Sequence, residues 1–155
     1  MFREIERKFL VEGDAFLAEA YDAVRITQGY LSAAANCTVR VRTWGDKGFI
    51  TVKGRGGVSR FEWEKEIPLD EALELLKLAQ SGIIDKTRHL VHSSDGVHVW
   101  EVDVFHGDNE GLVVAEVELG AEDETFPKPA WLGEEVTFDV RYRNTYLSVT
   151  PFKEW

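Results

Sequence analysis

Alternation is the feature that most constrains this chain. In Glu4-Ile5-Glu6-Arg7-Lys8-Phe9-Leu10-Val11, the residues Glu4, Glu6 and Lys8 fall at every second position. An extended strand projects such residues from one face. Five later segments carry a same-sign pair two residues apart: Arg40 with Arg42, Glu62 with Glu64, Lys86 with Arg88, Glu101 with Asp103, and Glu116 with Glu118. Apolar residues stand between the charges, Val41, Trp63, Val102 and Val117 among them. A helix would scatter both sets around its axis, whereas strands separate them into a charged and an apolar face.

The pattern predicts eight strands, near residues 3–11, 25–31, 37–44, 47–54, 58–67, 85–93, 97–105 and 111–120. Gly45-Asp46-Lys47-Gly48 and Ser93-Ser94-Asp95-Gly96 read as hairpin turns, and Gly107 through Gly111 as a longer one. Gly54-Arg55-Gly56-Gly57 is a turn as well, since it lacks the Lys-Ser/Thr and helix of a phosphate loop. Helical spacing is confined to Ala15, Phe16, Ala18 and Ala20, and to Leu73, Leu75, Leu76 and Leu78 after Asp70 as N-cap. The expected class is α+β, mainly antiparallel β, with a few helices on the outer apolar face. Trp63, Trp100 and Trp131 are expected in that outer core. Eight strands are enough to close a barrel around side chains or one small ligand. A charge-lined interior would be wet and occupied by ligand, because burying an unpaired ion costs several kcal/mol.

Composition narrows the function classes. At 155 residues and 44% hydrophobic, the chain suits one domain with a sizeable core. A formal charge of −10 argues against nucleic acid as a partner, while leaving room for a local basic pocket. Cys37 is the sole cysteine, so no intrachain disulfide can form, and no basic-then-apolar leader opens the chain. These features predict a cytoplasmic protein. No apolar run approaches the roughly 20 residues that span a bilayer, so no membrane is expected. The oligomeric state stays open, a homodimer included.

Most alternating charged strands merely present a solvated face. Here, however, the signs are segregated strand by strand, where a solvated face usually intermixes them. The carboxylates Glu4, Glu6, Glu62, Glu64, Glu101, Asp103, Glu116 and Glu118 are hard oxygen ligands suited to magnesium or manganese. Lys8, Arg40, Arg42, Lys53, Lys86 and Arg88 suit phosphate oxygens. Together they fit a metal–phosphate complex. His89, His92, His98 and His106 lack metal-ligand spacing and read as surface or structural residues, and Cys37 has no base near it in sequence.

Glu4-Ile5-Glu6-Arg7-Lys8-Phe9 is similar to the N-terminal Glu-x-Glu-x-Lys signature of the CYTH superfamily, the triphosphate tunnel metalloenzymes. The likeness continues through Gln28-Gly29-Tyr30-Leu31, Arg40-Val41-Arg42, Thr51-Val52-Lys53, Ser59-Arg60-Phe61-Glu62, Lys86-Thr87-Arg88, Glu101 through Phe105, Val114 through Glu118, and Gly133 through Thr137. Asp139 through Asn144 resembles the closing Asp-x-Arg-Tyr-x-Asn element, with Val140 where a lysine is common, and residues 144–155 correspond loosely to a C-terminal helix that plugs or flanks the tunnel. The resemblance is closest to the short bacterial inorganic triphosphatases.

It implies a closed eight-stranded antiparallel tunnel that holds triphosphate and divalent metal, Mg2+ or Mn2+. The substrate would lie on Lys8, Arg40, Arg42, Lys53, Lys86 and Arg88. One ion would sit on Glu116 and Glu118 with Asp103, and a second near Glu4 and Glu6 would activate water for attack on a terminal phosphorus. Glu62 and Glu64 would complete the metal shell or position the water, and Lys53 or Lys86 would serve proton transfer. The implied reaction is hydrolysis of tripolyphosphate to pyrophosphate and phosphate. Cleavage of thiamine triphosphate or a nucleotide, cyclisation of ATP, a non-catalytic polyphosphate-binding module and an acidic interaction domain remain as rivals.

Overall fold

A computed structural model describes residues 3–56 and 58–155; Gly57 of the expected Gly54–Gly57 turn lies outside the described residues. Among the described residues nine strands form: β1 (Arg3–Val11), β2 (Ala20–Ala34), β3 (Cys37–Trp44), β4 (Lys47–Gly54), β5 (Ser59–Ile67), β6 (Ile84–His92), β7 (Val99–Phe105), β8 (Val113–Glu118) and β9 (Leu132–Glu135). Every pairing is antiparallel, in the order β5-β4-β3-β2-β6-β7-β8-β1-β9. A further β5–β1 pairing, with Glu4 opposite Arg60, closes the first eight strands into a barrel. Closure leaves no free edge along most of its circumference.

Three expectations need correction. β9 was not foreseen, because Leu132-Gly133-Glu134-Glu135 has no alternation; only its partner β1 makes it a strand, with Val11 opposite Leu132. Ala20 opens β2 instead of closing a helix, and the preceding helix α1 is a single turn, Phe16–Glu19. The pairing of Ala20 with Val91 on β6 overrides the local helical spacing. Helix α2 (Leu69–Leu76) has Pro68, not Asp70, at its N-cap, and no side chain caps it. Asp70 lies in the first turn, where its charge favours the positive helix end.

The core lies outside the barrel. Phe9, Val91, Trp100, Val102, Ala115 and Val117 cluster on the outer face of β1, β6, β7 and β8, where Phe16 of α1 and Trp131 of the β8–β9 connection cover them. Trp100 and Trp131 are thus core, as expected. Trp63 is 37% exposed, because the outer face of β5 has no such cover. α2 lies against β4, where a Cβ on Gly48 would come within 2.6 Å of the Ala72 Cβ. A residue larger than glycine there would force the helix away.

A second cluster unites Ile84, Phe105 and Val114 with Leu112 and with Leu147 of helix α3 (Asn144–Val149). By strand alternation those three share the face of Lys86, Asp103 and Glu116. The inner wall therefore turns apolar towards α3, and Leu147 packs against it there. Among the described residues, no helix is long and apolar enough to cross a membrane.

The β8–β9 connection is fastened by His98, whose Nδ1 meets Asp95 and whose Nε2 meets Glu124, each at 2.5 Å. Only the doubly protonated ring donates from both nitrogens. Hydrogen bonds to Asp95 and Glu124 raise the His98 pKa, so the stabilisation is complete below about pH 6.5, the unfolded value, and is lost as pH rises through the raised folded value. Melting temperature should therefore fall more steeply from about pH 6.5 upward in the wild type than in His98→Asn. Identical profiles in the two proteins would refute this fastening.

Candidate active site

The lumen is a cavity of about 240 Å³. Each strand from β1 to β8 except β2 contributes charged side chains to it, and β2 contributes Tyr30. Alternation delivers them: Glu4, Glu6 and Lys8 from β1; Arg40 and Arg42 from β3; Lys53 from β4; Glu62 and Glu64 from β5; Lys86 and Arg88 from β6; Glu101 from β7; and Glu116 and Glu118 from β8. All but one of the sequence-assigned residues meet around this one lumen.

The exception is Asp103. It is 2% exposed, does not line the lumen, and accepts two hydrogen bonds from Arg88 at 2.8 and 3.0 Å. Lys86 Nζ lies 2.7 Å from the same carboxylate. With both oxygens engaged, Asp103 holds Lys86 and Arg88 in position. Burial raises its pKa, but the Arg88 and Lys86 charges outweigh that and keep it lowered.

The cations divide into held groups. Arg40 and Arg42 converge on Glu64 at 3.5 and 3.3 Å, and Thr51 donates to the same oxygen at 2.6 Å. That engagement makes Glu64 a brace for the arginines. Arg42 and Arg88 flank Trp44, 5.0 and 5.6 Å from its ring centre. Burial, then the Arg40 and Arg88 charges, lower the Arg42 pKa to about 9. Arg40 Nε and Arg42 Nε are buried donors with no partner among the described residues. An anion entering this group relieves the repulsion and can satisfy such donors. Burial likewise lowers the Lys86 pKa to about 8, with Asp103 opposing.

The opposite wall concentrates negative charge. Register sets Glu6 directly across from Glu118 and Glu101 across from Glu116. Like charges so placed destabilise a sheet unless a cation or proton intervenes. A hydrogen bond joins Glu6 to Glu116: burial and the Glu116 and Glu4 charges push Glu6 well up. Burial raises Glu116 too, but Lys8, that hydrogen bond and the β6 cations pull it down. Glu4 and Glu62 form a second such pair. Burial and the Glu4 hydrogen bond raise Glu62 to about 7, whereas burial of Glu4 is outweighed by Lys53, Glu62 and Arg60, bringing it to about 2. Lys53 Nζ sits 2.9 Å from Glu4 and 3.2 Å from Glu62. Burial and the charges of Glu101 and Glu4 raise Glu118.

Among the described residues there is no ready-made group of three or more metal-ligating side chains. The donor set nevertheless fits a hard divalent cation. Glu6, Glu116 and Glu118 are hard oxygen donors on adjacent strands, and the mutual repulsion that helps to raise Glu6 and Glu118 is one that a metal ion would relieve.

Sequence reasoning missed several lining residues. Arg60 shares the i, i+2 spacing of Glu62 and Glu64, so the signal was present; its Nε lies 3.5 Å from Glu4. Thr38 and Tyr30 extend the faces of Arg40 and Gln28 in the same way. Thr137, Arg143, Asn144 and Thr145 come from irregular chain and carry no such signal. Lys8 Nζ donates to the Tyr142 carbonyl at 3.0 Å, and Lys86 Nζ to Asn144 Oδ1 at 3.0 Å. Val140, where the resemblance would place a lysine, is 50% exposed and outside the lining.

Full-length similarity agrees with this geometry. The chain is 46% identical over 157 residues to the inorganic triphosphatase of Acetivibrio thermocellus, covering 100% of this chain and 99% of that one. It is 39% identical over 150 residues to the inorganic triphosphatase of Nitrosomonas europaea, covering 95% and 97%. A crystal structure of an inorganic triphosphatase superposes with a TM-score of 0.68 at 36% identity, over 94% of this chain and 97% of that one. Residues 3–149 match the CYTH domain, and with a closed antiparallel barrel built around its Glu-x-Glu-x-Lys strand, the chain belongs to the CYTH family.

Proposed function

We propose that this protein is an inorganic triphosphatase that hydrolyses tripolyphosphate to pyrophosphate and phosphate, with Mg2+ or Mn2+ as cofactor. The observation that carries the proposal is a small lumen with a cationic group on one side and under-neutralised carboxylates on the other. Tyr30 is the one aromatic side chain among its described lining residues, which leaves a nucleobase or thiazolium little to stack on. A linear inorganic chain needs no such platform.

Lys8, Arg40, Arg42, Lys53, Lys86 and Arg88 bind and orient the phosphate oxygens and offset their charge. Glu64, Glu101 and Asp103 hold those cations in place. Glu6, Glu116 and Glu118, with Glu4 and Glu62 beside them, would hold the metal, which supplies Lewis acidity and a more acidic bound water. Glu62, with its pKa near 7, is suited to take a proton from water. Lys86, with its pKa near 8, is suited to give one to the departing oxygen. A cytoplasmic setting fits the exposed, unpaired thiol of Cys37.

The test is phosphate release from tripolyphosphate with Mg2+, with Mn2+ and with chelator, beside ATP and thiamine triphosphate. Metal-dependent release from tripolyphosphate, well above that from the organic triphosphates, is expected. Tight binding without release would make this a polyphosphate-binding module instead, and preferential release from ATP or thiamine triphosphate would move the substrate to the organic class.

A further inference from the structure

We propose that Arg143 is a phosphate-binding residue of the lumen, taking the phosphoryl group that lies nearest α3; this rests on the triphosphatase reading above. Seven other cations line the cavity, and each has a carboxylate partner: Lys8 with Glu116, Arg40 and Arg42 with Glu64, Lys53 and Arg60 with Glu4, Lys86 and Arg88 with Asp103. Arg143 alone lines the lumen with no carboxylate partner among the described residues. Its guanidinium lies against Gly56 of the β4–β5 turn, where an added Cβ would stand 3.6 Å from both terminal nitrogens. That contact supplies no acceptor from a side chain. The planar fork of donors remains available to a ligand, and it matches phosphate geometry.

The neighbours of Arg143 sharpen the argument. Tyr142 and Asn144 on either side are held by Lys8 and Lys86, both of which line the lumen. A triphosphate that recruits those two lysines draws them off the Tyr142 carbonyl and Asn144 Oδ1. Unless something replaces these bonds, substrate binding loosens the segment leading into α3. A bond from Arg143 to the same substrate replaces them, so the segment stays seated when the lumen fills.

The experiment compares Arg143→Gln and Arg143→Lys with the wild type, and uses Arg55→Gln as a charge-matched change at an exposed position outside the lining. Steady-state kinetics on tripolyphosphate should show KM raised about tenfold or more in Arg143→Gln with kcat changed by less than about twofold, a partial return in Arg143→Lys, and little effect in Arg55→Gln. Calorimetric titration with tripolyphosphate in chelator should show the same loss of affinity without turnover. Unchanged affinity in Arg143→Gln, or an equal loss in Arg55→Gln, overturns the assignment. Should the wild type fail to turn over tripolyphosphate, the triphosphatase reading falls, and the binding titration still decides the role of Arg143.

Discussion

Glu6→Gln should reduce metal-dependent phosphate release from tripolyphosphate by about 10²–10³-fold or more while leaving the metal-free protein as stable as the wild type or more so. The separation follows from the raised pKa of Glu6 beside Glu116. Burial and the adjacent Glu116 and Glu4 charges favour the neutral form of Glu6, and glutamine is close to an isostere of that form. Without metal the substitution therefore removes little, and it spares β1 and β8 a repulsion. With metal it removes a negatively charged oxygen that no nearby group replaces. Thermal melting with chelator and with Mg2+ or Mn2+, run beside the activity assay, reads both effects. The expected signature is a metal-induced rise in melting temperature in the wild type that is small or missing in Glu6→Gln. Wild-type turnover in this variant would remove Glu6 from the metal site.

Asp103→Asn should behave in the opposite way, losing about 3–5 kcal/mol of stability even in chelator. Asp103 is the shared counter-charge of Lys86 and Arg88, and all three side chains are nearly inaccessible. Neutralising it strands Lys86 and leaves Arg88 with Glu101 alone, and the lower-dielectric wall magnifies the repulsion between the two cations. Activity should fall too, since both cations point into the lumen from this anchor. Urea unfolding in chelator is the deciding measurement. Were Asp103 a metal ligand instead, the metal-free protein would tolerate asparagine and only the metal-induced stabilisation would disappear. Comparing Glu6→Gln with Asp103→Asn thus separates a loss that appears only with metal from one already present in chelator.

Much of the site was legible because a barrel preserves strand parity. Once Glu4, Glu6 and Lys8 define an inner face, closure brings Arg40, Lys53, Glu62, Lys86 and Glu116 to the same side. Parity cannot tell which inward carboxylate meets a cation and which meets another carboxylate. Asp103 and Glu101 share one face and one spacing, yet Asp103 is sealed behind Arg88 while Glu101 reaches the lumen. Register and depth make that difference. Irregular chain was opaque for a related reason: Arg143 and Asn144 reach the lumen only because Lys8 and Lys86 hold the backbone and side chain of that segment.

The amino-acid sequence by itself determined that the chain forms an antiparallel sheet with one charged and one apolar face, because an alternation of period two admits few other solutions. It also pointed to the chemistry proposed for the site, since hard carboxylates suit a divalent metal and forked cations suit phosphate. The tertiary structure decided what depends on distance between remote strands. It set β9 beside β1, left Trp63 exposed by putting no cover over β5, paired Glu6 with Glu116 and Glu4 with Glu62, and committed Asp103 and Glu64 to bracing arginines. The alternation of each strand leaves these outcomes open: β1 meets β5, β8 and β9 only in the assembled sheet, and the register of β6 on β7 sets Asp103 against Arg88.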